Sequence, residues 1–135
     1  MITTINQANT QTVSKMQTLS MPNLLLRLEG LTVFIAAIVA YAHQGGSLWL
    51  FLALLLAPDL AALGYLINLK VGSIAYNTVH LYPLPIVLAG IALATNTPTA
   101  LLIALIWFAH IGMDRVAGYG LKYQTAFKDT HMQHV

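Results

Sequence analysis

Cysteine is absent from all 135 residues, which excludes disulfides and every thiolate metal site. Charge is nearly as scarce. Lys, Arg, Asp and Glu together make up 7% of the chain, against about 25% in ordinary soluble domains. So few charges cannot coat a water-facing surface, and six scattered Lys and Arg leave no nucleic-acid footprint. Apolar residues fill the gap: they account for 58% of the sequence, and the mean hydropathy is +0.73. The length suits one domain. The class this implies is an integral membrane protein.

A bilayer crossing takes about 20 mostly apolar residues, and four runs qualify: 24–42, 48–67, 72–94 and 99–117. The junctions "HQGGS", "NLK" and "TNTP" carry the Gly, Asn, Pro and Ser of turns. Connections this short make neighbouring helices antiparallel. The expected fold is therefore all-α, a four-transmembrane-helix antiparallel bundle over residues 22–117. Residues 1–21, rich in Thr, Gln, Asn and Ser, read as a flexible polar tail without the build of a cleaved signal peptide. Residues 118–135 carry Tyr119, Tyr123 and Phe127 at intervals of four beside Lys122 and Lys128. That is the pattern of an interfacial C-terminal segment.

Four crossings put both termini and the 68–71 junction on one side. Lys15, Arg27, Lys70, Arg115, Lys122 and Lys128 all fall at or beside that side, whereas "HQGGS" and "TNTP" hold no Lys or Arg. The positive-inside rule, strongest for short loops, then makes both termini cytoplasmic (N-in/C-in).

Polar residues inside the runs gather at one depth. At about 1.5 Å per residue from the cytoplasmic ends, Asp59, His80 and His110 lie about 10–12 Å in. Glu29 and Asn77 lie about 8 Å in, and Asp114 about 5 Å. Several have an ordinary explanation: Glu29 as a helix-dipole carboxylate near Arg27, Asn77 as interhelical glue, His80 as a bonded core histidine, and the neighbouring Arg115 as an anchor snorkelling to the headgroups. Asp59 resists one, because a mid-membrane aspartate costs about 2.5–3.5 kcal/mol and it follows the helix-breaking Pro58. His110 and Asp114, four apart, share one helix face.

Two imidazoles and two carboxylates without any thiolate suit a divalent cation such as Zn, Mn or Fe. The expected ligands are Asp59, His80, His110 and Asp114, with Asn77 and Asp129 in support. An open coordination position would acidify a bound water. Glu29, or His131 from the tail, would then act as general base. A site in the inner half of the bilayer suits a lipid-like substrate delivered by the membrane. Two other classes use the same residue types. One is a proton- or ion-coupled transporter working as a homo-oligomer; the other is a non-enzymatic metal- or haem-binding protein with His80 and His110 as axial ligands.

The segments "RLEG" (27–30), "APDLAALGY" (57–65), "AYNTVHLY" (75–82) and "AHIGMDRVAGYGLKY…FKDTH" (109–131) resemble the bacterial domain of unknown function 4260 family. The resemblance covers Arg27 to His131 and implies a small multi-pass protein of the bacterial inner membrane. More distantly, the polar pattern is similar to inner-membrane metal-dependent hydrolases, although their early His-rich signature has no counterpart here.

Overall fold

The structure, a computed structural model, describes residues 20–121 and Met132. Among the described residues every regular element is helical. Helix α1 (Met21–His43) starts at Ser20, whose side chain accepts from the Asn23 N–H, with Pro22 in the first turn. Both features suit a helix start, since the first N–H groups have no partner within the helix. Helix α2 (Leu48–Leu55) starts the same way at Ser47.

The α geometry then stops. Pro58 has no N–H to return to Leu54, and the Asp59 N–H bonds the Leu56 carbonyl at 3.1 Å. The chain continues as a 3₁₀ helix over Ala57–Leu66, long for a geometry that seldom exceeds four residues. Asn68 caps α3 (Leu69–Val79), which ends at His80. After a short break come α4 (Pro83–Ala94) and α5 (Pro98–Ala117).

The third expected span is thus not one continuous helix. It is two, bent by 40° at the break. Pro83 is the physical reason, because it cannot donate to the Val79 carbonyl one turn earlier. The Trp107 indole takes over, donating to Val79 O at 2.6 Å. The second expected span is likewise divided between α2 and the 3₁₀ helix.

Helix α5 organises the packing, with α1, α4 and α2 against it and α3 against the 3₁₀ helix. The α1–α5 contact is the largest. There Gly30 and Gly112 meet backbone to backbone: a Cβ on Gly112 would lie 2.7 Å from Gly30 O and 2.8 Å from Phe34 N. Small residues let membrane helices approach this closely. Ala104, Ile106, Ala109 and Ile111 of α5 are buried in the core. Outward, large apolar side chains such as Trp49, Leu66 and Val87 stand exposed, far beyond the scattered apolar surface of a soluble domain. Among the described residues, three helical stretches are long and apolar enough to cross a membrane, or four if the bent pair is one span. The apolar helices mark a membrane protein.

Candidate metal centre

Both breaks deliver a polar side chain to the same place. Asp59 sits in the first turn of the 3₁₀ helix and His80 at the end of α3. His110 and Asp114 come from adjacent turns of the unbroken α5. One ligand atom from each of the four lies within 4.8 Å of the others, the arrangement of a group that could hold a metal ion.

The individual distances are tight. His80 Nε2 is 3.4 Å from Asp59 Oδ1 and 3.3 Å from Asp114 Oδ2. His110 Nε2 is 3.3 Å and 3.2 Å from the same two atoms. The two Nε2 atoms are 3.0 Å apart. At ion–ligand distances of about 2.0–2.1 Å, the edges of a tetrahedral cage are about 3.3–3.4 Å long. Five measured edges fall at or slightly below that length.

The imidazole of His80 is fixed from behind. Its Nδ1 lies 2.7 Å from the Tyr76 carbonyl; a carbonyl only accepts, so Nδ1 carries the proton. In the neutral ring Nε2 then presents its lone pair to the cluster, the form a metal ligand needs. The Tyr76 ring stacks on the imidazole, 3.7 Å between centroids, and its hydroxyl donates to Asp114 Oδ2 at 3.4 Å. His110 Nδ1 is buried and makes no well-formed hydrogen bond.

Burial is uneven across the four. The His80 and His110 side chains are 0% exposed and Asp114 10%, whereas Asp59 is 46% exposed. The cluster has a closed back and one open edge, at Asp59.

Arg115 needs a correction. It does not snorkel outward: the residue is 8% exposed, and its guanidinium donates to His80 O at 3.2 Å and Tyr119 O at 3.0 Å. Burial turns it inward because the carbonyls at the helix break and at the end of α5 need donors. Sequence reasoning also missed Tyr76 and Trp107 as supports of the site. The proline pair in "YPLP" signalled the broken helix, and a broken helix needs such donors.

Of the other expected site residues, Glu29 stands exposed on α1 and outside the four-residue group, and Asn77 is half-buried on α3. Asp129 and His131 lie outside the described residues.

A helical membrane protein with a buried His/Asp group able to take a cation is the class these features define. The profile of the family described as Domain of unknown function (DUF4260) matches residues 23–135, and the chain belongs to that family. No curated protein and no solved structure matches it.

Proposed function

We propose that the protein holds one divalent cation between Asp59, His80, His110 and Asp114, inside a four-span antiparallel bundle with both termini cytoplasmic. One observation carries this reading. The lone pair of His80 Nε2, fixed by the Tyr76 carbonyl, faces two carboxylate oxygens and a second imidazole nitrogen within 3.4 Å. Converging electron pairs repel unless a cation or extra protons sit between them, and a cation offsets the cost of both carboxylates at once. The nitrogen–oxygen donor set and the edge lengths favour tetrahedral zinc, with manganese and iron as the other candidates.

The uneven burial supports a reactive rather than a closed site. Three buried ligands hold the ion, and the exposed Asp59 is the group that yields to water or substrate. A cation in such a site supplies a Lewis acid and an acidified water, the equipment of a hydrolase acting on a lipid-like substrate in the bacterial inner membrane. Haem fits less well, since two axial nitrogens at about 2 Å on opposite sides of one iron would be about 4 Å apart.

Elemental analysis of the full chain purified in detergent tests the reading. About one zinc, manganese or iron per chain is expected. His80→Ala/His110→Ala should lose it, whereas Asp59→Asn should keep it at reduced affinity. A double variant with unchanged metal content, or a wild type that takes up none of the three ions, would overturn the proposal.

A further inference from the structure

A cavity of about 220 Å³ opens beside the cluster. Pro58, Val79, Ile106 and Trp107 line it together with Leu54 and Ile103. Its walls continue into the metal centre through the chain itself. Pro58 precedes Asp59, Val79 precedes His80, and Ile106 and Trp107 lie one turn before His110. The lining side chains are apolar apart from the Trp107 indole, whose N–H is spent on the Val79 carbonyl. A ligand held by directional polar contacts has no purchase there.

We infer that this cavity is an acyl-chain subsite, holding one alkyl chain of a membrane amphiphile whose polar group reaches the cation at Asp59. The inference rests on the metal-centre reading and gives its substrate a chemical class. The volume, below the about 300–1,000 Å³ of sites for drug-sized ligands, accommodates a segment of an alkyl chain and leaves the rest of that chain in the surrounding lipid. The position of the opening favours a chain too. Ile103, in the lining, is exposed on α5, so the cavity can be reached from the apolar outer surface, while the half-exposed Asp59 directly follows Pro58 of its wall.

The two tryptophans give the test. Trp49→Phe removes the exposed one and leaves Trp107 as the only indole. The full-length variant is placed in dioleoylphosphatidylcholine vesicles and titrated with 9,10-dibromostearate, whose bromines quench a tryptophan in contact. Saturation at a few mole per cent of probe is expected. Ala57→Phe, which fills the cavity, should cut that saturable quenching at least about fivefold with metal content unchanged. If Ala57→Phe does not fold, Leu54→Phe serves the same purpose. Quenching that only rises in proportion to probe, or that is indifferent to filling, means contact with surrounding lipid alone and overturns the inference. Metal counted in the same samples separates the two ideas. Saturable quenching without metal would overturn the metal-centre reading, whereas metal without saturable quenching would overturn the acyl-chain subsite.

Discussion

Helices α1 and α5 and the two stretches between them are built by opposite rules. The first pair is unbroken and closes glycine on glycine at Gly30 and Gly112. Between them, both spans abandon regular α geometry, one at Pro58 and one at His80. Each break sits at a member of the His/Asp group. Irregular backbone inside a membrane is tolerated only where it is buried in protein or lines a cavity. Here Trp107 and Arg115, both on the regular α5, supply the missing donors to Val79 and His80. The regular half is a platform and the broken half is folded onto it. Asp59 and His80 reach the fixed pair His110 and Asp114 because regular α geometry breaks beside them, Asp59 in the first turn of the 3₁₀ helix and His80 at the end of α3.

The largest expected effect breaks the platform. Gly112→Leu would drive a side chain into Gly30 O and Phe34 N, backbone atoms that cannot swing aside, costing about 3 kcal/mol or more. Size-exclusion profiles and thermal unfolding in detergent should show the loss. Gly90→Leu, at a glycine with nothing within 4 Å, should behave as wild type. Equal tolerance at both sites would contradict the close crossing.

Cutting a tie between the halves should do less. Arg115→Met keeps bulk but orphans the His80 and Tyr119 carbonyls, costing about 1–3 kcal/mol. Metal affinity should fall roughly 10–100-fold, as when the supports of metal ligands are removed. A competition titration against a chromogenic chelator reads the affinity, and an unchanged value would separate the tie from the centre. Tyr76→Phe spares the stacked ring and the backbone carbonyl and removes only the 3.4 Å hydroxyl contact to Asp114. A few-fold weaker affinity and less than about 1 kcal/mol of stability are expected.

The smallest effect belongs to Glu29, exposed and outside the His/Asp group. Glu29→Gln should leave metal content and melting temperature unchanged. A loss of metal would extend the centre onto α1.

Much of this was legible along the chain. Hydrophobic runs and turn residues locate helices because both signals are local, and the final helix runs Pro98–Ala117 against an expected 99–117. The identities of the four converging residues were readable for the same kind of reason: ionisable groups are costly among apolar neighbours, so each stands out singly. The i,i+4 spacing of His110 and Asp114 also lies within one helix, whose geometry joins them.

Other features depend on how separate elements meet. The local pattern around Arg115 suits a headgroup anchor, and only the arrival of the His80 carbonyl beside it turns the guanidinium inward. Tyr76 looked like one more aromatic until the end of α3 brought its ring and carbonyl against the same imidazole. The sequence by itself determined an apolar helical chain with Asp59, His80, His110 and Asp114 at comparable positions along their runs. The tertiary structure decided that they meet at 3.0–3.4 Å, with Asp59 at an open edge. Depth along a helix follows from counting residues, but convergence depends on the bend at each break and on how each helix is rotated against α5, which long-range packing sets.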